Sequence, residues 1–238
     1  MPNVPAPGVL NCDLLVFDLD GTLVDSETDL ANAVNGSLES LNRLALPHSQ
    51  IVSFIGDGAG PLIERSLDAG GGRTPRLQEE ALSRFIAHYR EHLLDSTRAY
   101  PGVVEALNAI RTAAPSLPMA VLTNKPVNPS RAICDGLTLS RFFFANYGGN
   151  SFANKKPDPE GLHTLMAQAE RLLGRPVDPA RTIMVGDSHV DVETARAAGI
   201  RSLGCTYGLS PASLKASHPD ALATAPAEWL PQLRLLLS

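Results

Sequence analysis

From Tyr100 onward the chain alternates short apolar runs with helical stretches, and few folds accommodate that alternation. Ala120-Val121-Leu122, Ile183-Met184-Val185 and Ser202-Leu203-Gly204-Cys205 read as strands. Val103 to Ala113 and Gly161 to Leu173 read as helices between them. Strand and helix in turn imply a parallel sheet with crossover helices. Near the other end, Leu14-Leu15-Val16-Phe17 is an unbroken apolar run stopped by Asp and Gly, as expected of a strand buried on both faces. The segment between is helical. Leu30, Ala33, Val34, Leu38 and Leu41 recur at helical spacing, with Ser26 placed to cap the first turn. Gly56-Asp57-Gly58 predicts a turn, and Pro61 suits the first turn of the next helix. Gly70-Gly71-Gly72 predicts a joint, and Leu82, Phe85, Ile86, Tyr89 and Leu93 predict a further amphipathic helix. The expectation is an α/β core built from residues 11–25 and 100–238, with a helical insertion over 26–99.

Composition narrows the function. The net charge of −5 supplies no general positive field for nucleic acid. No apolar stretch approaches the ~20 residues of a membrane span, and no secretory leader is evident. The three cysteines, Cys12, Cys134 and Cys205, are scattered and odd in number, so they outline no disulfide framework or metal site. A reducing, cytoplasmic setting is expected. Met1 to Gly8, with three prolines, reads as a loose arm. His88 and His92 share a helix face but lack a third ligand, so a solvated or packed face is expected there. Trp229, Leu230, Leu233 and Leu235 to Leu237 predict a carboxyl-terminal helix packed on the core or on a second subunit. The assembly is left open between monomer and homodimer.

Three of the strands end in polar residues: Asp18 and Asp20, then Thr123 and Asn124, then Asp187. In an open α/β sheet, ligands bind beyond the carboxyl ends of the strands. Carboxylates from two strand ends meeting in one crevice repel unless a cation lies between them. Oxygen ligands without clustered His or Cys favour a hard ion such as Mg2+, which leaves room for a substrate phosphate. Asp18 is then a candidate nucleophile forming an aspartyl-phosphate, and Asp20 a candidate proton donor to the leaving oxygen. Thr123 and Asn124 are candidate donors to phosphate oxygens, and Lys156 supplies positive charge. Ser188 and Asp191 follow Asp187 into a helix start, where Asp191 would orient metal waters or Lys156. Each motif alone is an ordinary turn or helix cap. Their combination, with three of them at strand ends, is what carries the argument.

The combination resembles the haloacid dehalogenase superfamily of phosphohydrolases over nearly the whole chain. Phe17-Asp18-Leu19-Asp20-Gly21-Thr22-Leu23-Val24-Asp25-Ser26 is similar to the first motif of that family, Thr123-Asn124 to the second, Lys156 to the third, and Gly186-Asp187-Ser188 through Asp191 to the fourth. The resemblance implies a Rossmann-like core with a helical cap inserted after the first strand. It also implies Mg2+ held by Asp18, the backbone carbonyl of Asp20, and Asp187, with Thr22 among the substrate-binding positions. Within the superfamily the chain looks most like phosphoglycolate phosphatases, through Thr123-Asn124-Lys125-Pro126, Asn154-Lys155-Lys156-Pro157, Tyr100-Pro101-Gly102-Val103 and Ile55-Gly56-Asp57-Gly58-Ala59. The implied reaction is hydrolysis of 2-phosphoglycolate. Gly56 and Gly58, just before a helix whose free N–H groups suit an anion, are candidate substrate contacts, against a plain structural turn. Other small phosphates or pyrophosphate are alternative substrates. A phosphomutase of the β-phosphoglucomutase kind is a further alternative, against which Thr22 argues. A phosphate-binding protein without turnover is disfavoured, because every expected catalytic position is filled.

Overall fold

The computed structural model describes residues 10–238, so the arm expected over Met1 to Gly8 lies outside the described residues. The strands are β1 (Leu14–Phe17), β2 (Val24–Asp25), β3 (Arg98–Ala99), β4 (Met119–Leu122), β5 (Ala145–Tyr147), β6 (Thr182–Gly186), β7 (Arg201–Cys205) and β8 (Ala221–Ala223). Six of them form one sheet in the order β5-β4-β1-β6-β7-β8, with every neighbouring pair parallel. The helices are α1 (Glu27–Ser40), α2 (His48–Val52), α3 (Ala59–Ala69), α4 (Pro75–Glu91), α5 (Val103–Ala113), α6 (Val127–Gly136), α7 (Glu160–Leu173), α8 (His189–Ala197), α9 (Pro211–Ala216) and α10 (Trp229–Leu236). The expected α/β class with a parallel, Rossmann-like sheet is what the chain forms.

The apolar run of β1 is continuous because both faces of the sheet are covered. Successive side chains of a strand point to opposite faces. Leu15 and Phe17 enter a cluster with Val121, Ile110, Val185 and Trp229, while Leu14 and Val16 enter another with Leu122, Met184, Leu162 and Leu165. Phe17 lies beside Val121 on one side and Val185 on the other. The carboxyl ends of β1, β4 and β6 therefore open on one edge. The strand order runs outward in both directions from β1, which sets a crevice beyond that edge.

Between β2 and β3 the helices build a separate apolar cluster: Leu30, Val34 and Leu38 of α1 pack with Leu62, Ile63 and Leu67 of α3 and with Phe85 and Tyr89 of α4. β2 and β3 pair antiparallel, so this segment leaves and returns through one ribbon. Buried Asp29 fastens its exit, accepting from the Ser96 amide at 2.9 Å, the Thr97 amide at 2.7 Å and the Thr97 hydroxyl at 2.7 Å. No helix among the described residues is long and apolar enough to cross a membrane.

Three sequence expectations are corrected. Ser26 does not cap α1; its hydroxyl donates instead to Asp20 Oδ1 at 2.5 Å, a stronger acceptor. Ile86 and Leu235, read as core-facing, are 48% and 69% exposed, because the faces of α4 and α10 that meet a partner are narrower than their apolar stripes.

Candidate active site

Asp18 follows β1 directly, and its amide donates to the Val185 carbonyl at 2.9 Å. The chain then turns sharply, with the Leu23 and Val24 amides both donating to the Leu19 carbonyl. Gly21 makes the turn possible. Its φ is +84°, and a Cβ there would stand 2.2 Å from Asp187 Oδ2. Asp187 follows β6, and the next turn starts α8. Asp191, in the first turn of that helix, accepts from the Ser188 amide at 3.1 Å and the Ser188 hydroxyl at 2.8 Å. Two strand ends and one helix start thus bring Asp18, Asp187 and Asp191 together, with one carboxylate oxygen of each within 4.8 Å of the others.

Lys156, on the loop before α7, enters this group from the side. Its Nζ lies 2.9 Å from Asp18 Oδ1 and 2.6 Å from Asp191 Oδ1. Burial pulls the ammonium down, but the Asp18 and Asp191 charges outweigh it and hold Lys156 above its ordinary value. Burial pushes Asp18 up to about 6; Lys156 opposes the rise, and Asp191 and Asp20 add to it. Burial, then Asp191 and Asp18, also raise Asp187, although the Leu209 amide donates to its Oδ2 at 2.7 Å. One lysine does not balance this much buried negative charge. Asp18 Oδ1 is buried and, apart from the Lys156 ion pair, accepts no hydrogen bond. All the acidic donors are oxygens. That donor set and the residual charge fit a hard divalent cation.

A cavity of about 630 Å³ opens above the carboxylates, between the sheet edge and the helical insertion. Asp18, Asp20, Thr123, Asn124, Asp187 and Ser188 line its floor, and Gly56 and Gly58 its opposite wall. Thr22 and Lys156 do not line it. Thr22 is fully buried and turns its hydroxyl to Asp187 Oδ1 at 3.5 Å, while Lys156 and Asp191 stand behind the floor. The Asn124 amide nitrogen donates to the Gly56 carbonyl at 3.3 Å and the Lys156 carbonyl at 3.1 Å, joining the loop before α3 to the floor. Lys155 Nζ donates to the Asp57 carbonyl across the same gap.

Two residues to which sequence reasoning gave no role at the site also meet here. Lys125 Nζ donates to both carboxylate oxygens of Asp20 at 3.0 Å and lies 4.6 Å over the Tyr89 ring. Burial lowers Lys125, but the Asp20 charge and Tyr89 more than restore it, so it stays cationic. The signals for Lys125 in the sequence were its position, two residues after Thr123, and its place in the segment Thr123-Asn124-Lys125-Pro126.

The family model for haloacid dehalogenase-like hydrolases matches residues 15–205, a span that includes every carboxylate of the site. The phosphoglycolate phosphatase of Colwellia psychrerythraea is 39% identical over 200 residues, 82% of this chain and 85% of that one. The phosphoglycolate phosphatase of Neisseria meningitidis is 37% identical over 212 residues, 87% of each chain. Among solved structures, a predicted phosphoglycolate phosphatase from Haemophilus somnus superposes with a TM-score of 0.85 at 30% identity, covering 93% of this chain and 98% of its own.

Proposed function

The chain belongs to the haloacid dehalogenase-like hydrolases, and from that premise we propose that it is a Mg2+-dependent phosphatase of small phosphate monoesters, with 2-phosphoglycolate as its substrate. The observation that carries the reading is the Asp18 carboxylate: buried, facing the cavity, tied only to Lys156, and set among further carboxylates.

Asp18 attacks phosphorus in line with the leaving oxygen and takes up the phosphoryl group as an aspartyl-phosphate. Lys156, fixed by Asp191, holds the nucleophile's rotamer and offers positive charge to the transferring oxygens. Asp20, beside the same cavity, gives its proton to the leaving alcohol and then takes one from the water that hydrolyses the intermediate. Thr123 lines the cavity, and its hydroxyl oxygen, which accepts from the Lys125 amide at 3.2 Å, keeps its proton to donate to a phosphate oxygen. Mg2+, held by Asp18, Asp187 and the Asp20 carbonyl, would neutralise charge on the phosphate and set it in line. The loop at Gly56 and Gly58, linked to the floor through Asn124, forms the wall that the organic part of the substrate meets. The substrate itself is supported by the names of the relatives.

The test is phosphate release from 2-phosphoglycolate, other small esters and pyrophosphate, with Mg2+ and with chelator. Asp18→Asn is expected to lose about 10⁴-fold or more in kcat. Release that survives that change, or that ignores chelation, sinks the mechanism. A pyrophosphate preference reassigns the substrate alone.

A further inference from the structure

Asp20 is held by more than the strand that carries it. Oδ1 receives two donors, the Ser26 hydroxyl at 2.5 Å and Lys125 Nζ at 3.0 Å, whereas Oδ2 receives Lys125 Nζ at 3.0 Å. The lysine is not a surface cation that has drifted onto a carboxylate. Lys125 and Tyr89 are each only 5% exposed, and the Tyr89 ring, stacked on Phe85 at 5.5 Å, covers the ammonium from the side of α4. A flexible four-carbon stem is thereby confined to one pose, and so is the carboxyl it holds. The loop after β1 supplies Asp20, the junction of β2 and α1 supplies Ser26, the loop after β4 supplies Lys125, and helix α4 supplies Tyr89.

We propose that Lys125 is a positioning residue for Asp20: it grips both carboxylate oxygens, Ser26 adds a second donor to Oδ1 and so biases the proton to Oδ2, the oxygen that delivers it to the leaving group, and Tyr89 covers the ammonium on the side of α4. The inference rests on the proton-donor role of Asp20 proposed above. In that step the Oδ2–H bond breaks as the ester P–O bond breaks. The proton goes to the departing oxygen, and the phosphoryl group to Asp18. The charge left on Asp20 then faces a buried ammonium and a hydroxyl rather than Asp18 alone. An anchor of this kind works through orientation, so its loss weighs on those substrates that need the proton.

The experiment compares kcat/KM, which reports formation of the aspartyl-phosphate, on two esters. Ethyl phosphate leaves as an alkoxide that requires protonation, whereas 4-nitrophenyl phosphate leaves as a stable phenolate. Asp20→Asn is the reference. It is expected to lose about 10²-fold or more on ethyl phosphate, and less than about ten-fold on the aryl ester. Lys125→Met is expected to reproduce that asymmetry. Ser26→Ala, a milder change suited to a folded comparison should Lys125→Met prove unstable, is expected to show it at smaller amplitude. Asp20→Asn asymmetric with Lys125→Met and Ser26→Ala both losing equally on the two esters overturns the inference and leaves the role of Asp20 standing. Equal losses in Asp20→Asn itself overturn both. A wild-type protein that releases phosphate neither from these esters nor from 2-phosphoglycolate overturns the phosphatase reading and the inference with it.

Discussion

Removing a carboxylate from the site should stabilise the metal-free protein. Asp18, Asp187 and Asp191 place oxygens within 4.8 Å of one another against the single ammonium of Lys156. At that separation and an effective dielectric of about 20, two unit charges repel by about 3.5 kcal/mol. Asp187→Asn removes Asp187's share and keeps its shape. The amide oxygen still accepts from the Leu209 amide, now at 2.7 Å from Oδ2. After the lost attraction to Lys156, a gain of roughly 2–3 kcal/mol is expected in EDTA at pH 8, or about 4–12 °C in Tm for a chain of this size. The pH dependence has a definite sign. Burial and the neighbouring carboxylates raise Asp187 above its ordinary 3.8. A carboxyl raised on folding favours the fold while protonated and loses that contribution as pH rises through its folded value. The advantage of the variant should therefore be small near pH 4 and grow toward pH 8. With Mg2+ the order should reverse, because the wild type gains ligand-binding free energy that the variant lacks. Thermal melts in EDTA and in Mg2+, at several pH values, decide the matter. A variant no more stable than wild type in EDTA at pH 8 would refute the reasoning, as would an advantage indifferent to pH.

Other substitutions probe the frame around the site. Gly21→Ala must place a Cβ 2.2 Å from Asp187 Oδ2 at φ +84°, and the resulting shift of that carboxylate should lower kcat/KM by about 10²-fold with the fold retained by circular dichroism. Wild-type kinetics would show the close approach to be harmless. Gly58→Val, at φ +88° with its Cβ 2.8 Å from the Asn124 carbonyl oxygen, should unseat the loop and lower kcat/KM for 2-phosphoglycolate at least ten-fold. Unchanged kcat/KM removes the loop from substrate recognition. Asp13, at the opposite edge of the sheet, accepts from Arg175 at 2.7 Å, Arg181 at 2.9 Å and the Asp178 amide at 3.0 Å. Burial opposes its ionisation, but these donors outweigh it and hold its pKa below 3.8. Asp13→Asn should cost about 1–3 kcal/mol above that pH, less as the pH falls below it, with kcat unchanged. Equal melting temperatures at pH 7 would contradict this.

How much of this was legible in the sequence depends on what each residue touches. β1 and β6 could be read because both faces of the sheet are covered, which forces an unbroken apolar run. β5 and β8 could not. They are edge strands, partly exposed, and Ala145-Asn146-Tyr147 and Ala221-Leu222-Ala223 become strands only through pairing with β4 and β7. Asp18 and Asp187 stood out as polar residues ending apolar runs. Ser26 had two acceptable partners, a helix terminus and the Asp20 carboxylate, and only the turn at Gly21 brings the second within reach. The meeting of Lys125 with Tyr89 depends on how α4 lies over the sheet edge, which no local pattern encodes.

The ribbon of β2 and β3 has a consequence for how such a chain changes over time. Val24 pairs with Ala99 and Asp25 with Arg98, so the path out of the sheet domain and the path back are two hydrogen-bonded neighbours. Whatever is threaded between them closes a loop whose entropic cost rises by only about 0.6 kcal/mol per doubling of length. To the sheet, the intervening segment is nearly weightless. It can lengthen or shorten at little cost in closure entropy, and what limits such change is contact rather than chain length: a ring must still lie over Lys125 as Tyr89 does, and a loop must still meet Asn124 as Gly56 does.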